Sequence, residues 1–170
     1  MTTRDAEIPH PHIELIPASP GQKPILANLL ELYVHDFSQF LHIELGPDGR
    51  FGYANLSAYW REPGRHPFLV RVDGNLAGFV FVKRDDSTWD MAEFFIVRGH
   101  RRAGIGTAVA HNVFRLFPGR WQVRVIDINQ PARRFWQQAI HQFTGHIIQP
   151  ARVQKGGQNW HVFSFESSDK

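Results

Sequence analysis

The chain has 170 residues, 42% hydrophobic and 21% charged, which is enough for one domain with a real core and short for two. It contains no cysteine, so disulfides and thiolate catalysis are excluded, and it has no uninterrupted apolar run of about 18 residues that would span a membrane. The formal charge of +3, from 19 basic and 16 acidic side chains, is mild for a nucleic-acid binder.

A single domain over residues 1–170 is therefore expected, with residues 1–11 and 166–170 flexible. The opening stretch "MTTRDAEIPHPHIE" lacks the apolar core of a secretory signal, so the cytoplasm is the default location. "HIELIPAS" alternates and ends at Pro17, as a short first strand does. Ser19 and Pro20 then supply an N-cap and a first-turn proline. The following helix carries Ile25, Leu26, Leu29, Leu30, Tyr33 and Phe37 at helical spacing. "GPDGRFGY" breaks that pattern, and a short helix is predicted near Leu56 to Trp60.

"HPFLVRVDGNLAGFVFVKR" reads as a hairpin, two β-rich runs joined at Asp73 and Gly74. After a turn at "DDS", Trp89 to Val97 continues the sheet. A helix from about Gly104 places Ile105, Val109, Val113 and Leu116 on one face and stops at Pro118 and Gly119. "WQVRVIDI" reads as a strand and "QPARRFWQQAIHQF" as a helix with Pro131 in its first turn. "GHIIQPARVQ" and "NWHVFSFE" are the last two strands, on either side of Gly156 and Gly157. The pattern is a single α/β domain with one central sheet.

Between the strand ending near Val97 and the helix at Gly104 lies the densest basic cluster, Arg98 to Arg102, followed by Gly104-Ile105-Gly106. A dinucleotide fingerprint needs a small residue where Val109 stands, and a P-loop needs Lys where Ile105 stands, so both readings fail on residue identity. What remains is an anion site. Unpaired N–H groups and the positive end of the helix dipole suit a pyrophosphate, and glycine lets the backbone come close.

Arg101-x-x-Gly104-Ile105-Gly106 after an apolar strand resembles the acetyl-CoA motif of the GNAT (general N-acetyltransferase) superfamily. "INQPARRFW", with Asn129, Ala132 and Trp136, resembles its second signature, and the element order is similar from about Ile13 to Phe165. The resemblance implies a central mixed, mostly antiparallel, twisted sheet of six to seven strands with helices on both faces. It implies acetyl-CoA as cofactor: Phe94, Phe95 and Ile96 pairing with its pantetheine arm, and Arg101, Arg102, Ala103, Gly104, Ile105, Gly106 and Thr107 holding the pyrophosphate. Asn129 would bond the cofactor arm, and the helix with Phe135 and Trp136 would line the thioester end. Asn129 equally suits the cap of the helix that follows it, and the phenylalanines equally suit a core.

Where the family often has a tyrosine as general acid, this chain has Trp136, whose indole supplies no useful proton at neutral pH. An upstream tyrosine, water or unassisted departure of the thiolate takes that place. Glu93, on an apolar strand, is the first candidate for the base and Asp90 the second. In "LYVHDFSQFLHIE", Asp36 is a candidate to attract the acceptor's cation, and Tyr33 or Tyr53 to offer it a hydroxyl. The ten histidines show no paired ligand spacing, so no metal site is expected. The expected partner is an amine, on a small molecule or a protein, with a homodimer possible and neither nucleic acid nor membrane expected. The function implied is direct acetyl transfer in a ternary complex; the alternative is an acyl-CoA-binding sensor or interaction domain with little catalysis.

Overall fold

Hydrophobic alternation in the strands and helical spacing between them produce eleven main elements. In chain order these are β1 (Ile13–Pro17), α1 (Lys23–Phe37), α2 (Ala58–Arg61), β2 (Arg65–Val72), β3 (Asn75–Asp85) and β4 (Thr88–Ile96). Then come α3 (Ile105–Leu116), β5 (Gly119–Ile126), α4 (Gln130–Thr144), β6 (Ala151–Lys155) and β7 (Gln158–Ser167). The computed structural model describes residues 10–168. Most of the N-terminal segment expected to be flexible therefore lies outside the described residues, as do the last two residues. His12 is tied down, its N–H bonding Asp73 Oδ1 at 2.8 Å, and Glu166 and Ser167 extend β7 rather than starting a tail.

The strands form one sheet in the order β1-β2-β3-β4-β5-β7-β6, antiparallel except for the β4–β5 pair. This is the mostly antiparallel α/β architecture expected from the sequence. Asp73 and Gly74 both take left-handed backbone, φ 49° and 78°, so the β2–β3 hairpin has the two-residue turn its sequence predicts. Ser19 N–H donates to Gln22 Oε1 at 2.9 Å in a short 3₁₀ turn that leads into α1. One strand is shorter than its pattern. Gly145 closes α4 in the left-handed region and Pro150 has no N–H to give a ladder, so β6 begins at Ala151 and not at Gly145.

The sheet separates two cores. On one face Val109, Val113 and Phe114 of α3 and Trp136 and Ile140 of α4 meet Val80, Val82, Trp121 and Phe163. On the other, Leu26, Leu29 and Leu30 of α1 and Tyr59 of α2 meet Leu69, Phe79, Phe81 and Phe95.

Two irregularities in β4 position the site. First, β4 and β5 pair for three rungs only, Thr88–Arg120 to Asp90–Gln122, and then part. Second, Phe81 faces Glu93 but Val82 faces Met91, which leaves Ala92 as an extra residue, a β-bulge. Simple alternation would put Glu93 on the same face as Met91. The bulge instead turns Glu93 to the α1 side, beside Ala92. At the fork, Asp90 is fully buried and bonded by Arg124 of β5, Nη2 at 2.5 Å and Nε at 3.3 Å, with Lys83 Nζ at 3.6 Å.

Past the bulge β3 and β4 run unusually close, and Gly78 is the reason they can. A Cβ there would sit 2.0 Å from the carbonyl oxygen of Phe95. Gly78→Ala is expected to destabilise the fold by roughly 1–3 kcal/mol or more, read as a shift in the urea midpoint with an unchanged slope.

Candidate active site

Where β4 and β5 part, a cavity of about 380 Å³ passes between them and opens toward both faces of the sheet. On the α1 side its walls are Tyr33, Val34, Phe37, Ala92, Glu93 and Arg124; on the α3 and α4 side they are Met91, Phe94, Val125, Ala132 and Trp136. Past the fork the β4 edge facing β5 has no strand partner among the described residues, so its free polar groups can pair with another extended chain.

Glu93 is the acidic centre of this cleft. Tyr33 on α1 donates its hydroxyl proton to Oε2 at 2.5 Å, and Tyr53, from the segment after α1, donates to Oε1 at 2.9 Å. Burial pushes the Glu93 carboxyl above its ordinary range, and the two tyrosine hydrogen bonds only partly offset this. Burial, together with the nearby Glu93 charge, also raises Tyr33 and Tyr53, so both keep their protons. Tyr59 is pushed up to about 12, again mainly by burial.

The loop into α3 carries the second centre. Arg102 and Gly104 both take left-handed backbone, φ 69° and 74°, in the turn that leads into α3. The turn and the helix start together offer a run of backbone N–H groups, a nest suited to an anion. The first backbone bond of the helix runs from Ala108 N–H to Gly104 O, and the N–H groups of residues 102–107 find no acceptor among the described residues. Glycine is required at 104 by its φ, and a Cβ there would meet nothing within 4 Å, so the space in front is open. Gly106 has a different reason: its Cβ would lie 3.2 Å from the Phe135 ring, so glycine lets α3 pack on α4.

A family model described as the acetyltransferase (GNAT) family matches residues 26–141, which span α1, the fork, the loop and nearly all of α4. The chain belongs to the GNAT acetyltransferase family. No curated protein matches it significantly. Among solved structures, an acetyltransferase from Thermus thermophilus superposes with a TM-score of 0.69 at 18% identity, over 91% of this chain and 96% of that one. A putative GNAT acetyltransferase from Desulfovibrio desulfuricans has a TM-score of 0.64 at 13% identity, over 92% and 100%. Spermidine N-acetyltransferase from Vibrio cholerae, in complex with CoA and spermine, has a TM-score of 0.62 at 14% identity, over 92% and 96%. At these identities the likeness is one of fold.

Within this GNAT fold the residues singled out from the sequence separate into groups. Glu93, Tyr33 and Tyr53 converge, and the two tyrosines meet the carboxylate directly. Asp36 does not face the cleft as a free charge. Arg98 Nη2 and Arg101 Nη2 hold its two oxygens at 2.7 and 2.5 Å. Burial opposes ionisation of Asp36, but the two guanidiniums prevail and keep its carboxyl below the ordinary range. Arg101 is thereby turned away from the nest, its Nε bonding Ile96 O at 2.7 Å. Arg102 stays exposed beside the nest.

Phe95 and Ile96 bury their side chains in opposite cores, so only backbone groups could meet a ligand there, and Ile96 O is already held by Arg101 Nε. Phe94, Phe135 and Trp136 form one aromatic cluster, with ring centroids 4.9–5.7 Å apart, and Phe94 and Trp136 line the cleft. Asn129 caps α4, its Oδ1 accepting from Ala132 N–H at 3.1 Å, and still lines the cleft. Val34, Ile43 and Trp160 also line it and carry no motif that would have marked them.

Because its hydrogen bond favours the ionised form, loss of the Tyr33 hydroxyl should raise the Glu93 pKa further. Tyr33→Phe is expected to move the Glu93 carboxyl titration to higher pH, measured by carbon-13 NMR of a side-chain-labelled sample. A shift to lower pH, or none, would contradict this electrostatic account.

Proposed function

We propose that this acetyltransferase moves an acetyl group from acetyl-CoA to a primary amine, on a small molecule or a protein, by direct attack in a ternary complex with Glu93 as the base. The observation that carries the reading is the cleft through the sheet, with a buried carboxylate opening on one side and a nest of unpaired N–H groups on the other. The Vibrio cholerae relative with CoA and spermine bound supports CoA as the donor and a small amine as the acceptor.

The residues present suit CoA. The nest at 102–107, with the positive end of the α3 dipole and the exposed Arg102, fits a pyrophosphate. The β4 edge past the fork, where Ile96 O is already held by Arg101 Nε, offers its remaining backbone groups to the amides of the pantetheine arm as an added strand. Asn129 has its amide nitrogen free of partners among the described residues, and Trp136 with Phe94 gives an apolar wall at the thioester end. When bound, acetyl-CoA supplies an acyl carbon activated as a thioester.

The chain's own residues then manage protons. An alkylammonium acceptor, with an ordinary pKa of about 10.4, must lose a proton before its nitrogen can attack. Glu93, ionised and held between Tyr33 and Tyr53, takes that proton, and burial makes it a stronger base than a surface carboxylate. Asp90 is saturated by Arg124 and Lys83 and secures the fork instead. The two tyrosines commit their hydroxyl protons to Glu93, so neither serves as an acid for the departing thiolate. A thiol with a pKa near about 8.5 leaves without one. Trp136 in place of an acidic tyrosine favours the second reading, a CoA-binding domain with little turnover. Tight CoA binding with no amine-dependent thiol release across an amine panel would establish it.

Glu93→Gln is expected to lower kcat by about 10²–10⁴ and leave CoA affinity unchanged. Its pH profile should lose the acidic limb, because the wild-type rate rises as pH climbs through the raised Glu93 pKa. The stability effect has the opposite sense. A raised folded pKa means that Glu93 loses native-state stability as pH climbs through it, so the Gln variant should unfold no more easily than wild type at about pH 8. Gly104→Glu puts a carboxylate and left-handed strain at the nest. It should weaken CoA binding at least about a hundredfold by calorimetry, roughly 2.7 kcal/mol; undiminished affinity in a folded variant would refute the cradle.

A further inference from the structure

A second cavity, of about 440 Å³, lies against α1 beside the cleft. Lys23 and Glu31, two turns apart on the helix, line it together with Arg50, Tyr53, Ser57 and Arg61. Tyr53 is the wall it shares with the catalytic side: the residue lines this cavity and its hydroxyl reaches Glu93 at 2.9 Å.

The charge of this cavity is unbalanced. Glu31 is the sole carboxylate among its lining residues, and it is fully engaged. Its oxygens accept the N–H groups of Phe51 at 2.7 Å and Gly52 at 2.8 Å, with Arg50 Nε at 3.7 Å. Lys23 bonds the hydroxyl of Ser57, a neutral partner. Neither Lys23 nor Arg61 forms an ion pair among the described residues, although Glu62, next to Arg61, pairs with Arg65 at 2.6 Å. With Arg50 set against Glu31, two cations, Lys23 and Arg61, stand unpaired among the described residues, in a concave site that concentrates their field.

We propose that this cavity is the acid-group subsite of the acceptor: the amine that reaches Glu93 also carries a carboxylate or a phosphate monoester, held by Lys23 and Arg61. The inference rests on Glu93 acting as the base of an amine acetyltransferase. Tyr53 is the link between the two sites: it lines this cavity, and its hydroxyl bonds the Glu93 carboxylate. A polyamine such as the spermine of the Vibrio cholerae complex brings only positive charge and meets the unpaired Lys23 and Arg61.

The test uses ligand pairs that differ only in the acid group: L-lysine against cadaverine for a carboxylate, and phosphoethanolamine against ethanolamine for a phosphate. Calorimetry on the full chain with CoA should show at least one acidic member binding more than about tenfold tighter than its partner. The pair that does so identifies the acid. Lys23→Glu/Arg61→Glu should abolish that preference, and the milder Lys23→Gln/Arg61→Gln should reduce it, each checked for native circular dichroism. Equal or tighter binding of the non-acidic members overturns the proposal, as does a preference that survives both variants. So does failure of both acidic ligands and of inorganic phosphate to bind at about 10 mM. Thiol release with the same four compounds separates the two assignments. Release without selectivity keeps the transferase and overturns the subsite, whereas selective binding without release keeps the acid site and overturns Glu93 as acceptor base.

Discussion

The structure depends on the parting of β4 from β5 after three parallel rungs. Strand backbones carry donors and acceptors that must be satisfied, and a continuous sheet satisfies them by closing the gap. Here the gap stays open because the fork is clamped at its root. Asp90, buried and held by Arg124 from across the fork and by Lys83 from β3, ties three strands together at the point of divergence. Removing one partner of such a pair leaves an uncompensated buried charge, so the clamp is hard to dismantle one residue at a time. Everything beyond it, the cleft and the unpaired edge of β4, follows from that divergence.

Three carboxylates near this cleft have three different environments, and the environments separate their roles. Asp90 meets a guanidinium and an ammonium and is tied into the fork. Asp36 meets two guanidiniums, Arg98 and Arg101, and thereby fastens the end of α1 to the loop that carries the N–H nest. Glu93 meets only hydroxyls. Hydroxyl donors orient a carboxylate without neutralising it, so Glu93 is the one whose proton affinity burial can raise. Loop and base are thus both anchored to α1, Asp36 reaching one and Tyr33 the other.

The two glycines of the signature divide the work in a similar way. Gly104 supplies a left-handed turn in front of open space, which exposes the nest. Gly106 makes room for Phe135, which packs α3 against α4 and steadies the aromatic wall of Phe94 and Trp136. A single short motif serves an anion site and a helix contact together.

Local chemistry is legible in the chain order: the succession of elements, the Asp73-Gly74 hairpin, the helix start at Gly104 and the signatures that named the family. Each of these depends on backbone preferences within a few residues, where spacing carries the information. The sequence also marks Glu93, Tyr33 and Tyr53 one by one, without the means to join them. Folding is what brings those tyrosines, 60 and 40 residues away in the chain, onto one carboxylate. The bulge at Ala92 decides which face of the sheet that carboxylate takes, and simple alternation predicts the other face. Asp36 reads as a free charge in the sequence because Arg98 and Arg101 lie more than sixty residues further along. The basic cavity at Lys23, Arg50 and Arg61 is invisible in the chain order for the same reason. The charge of a side chain is written in the sequence, but whether that charge is already neutralised depends on what the fold packs against it.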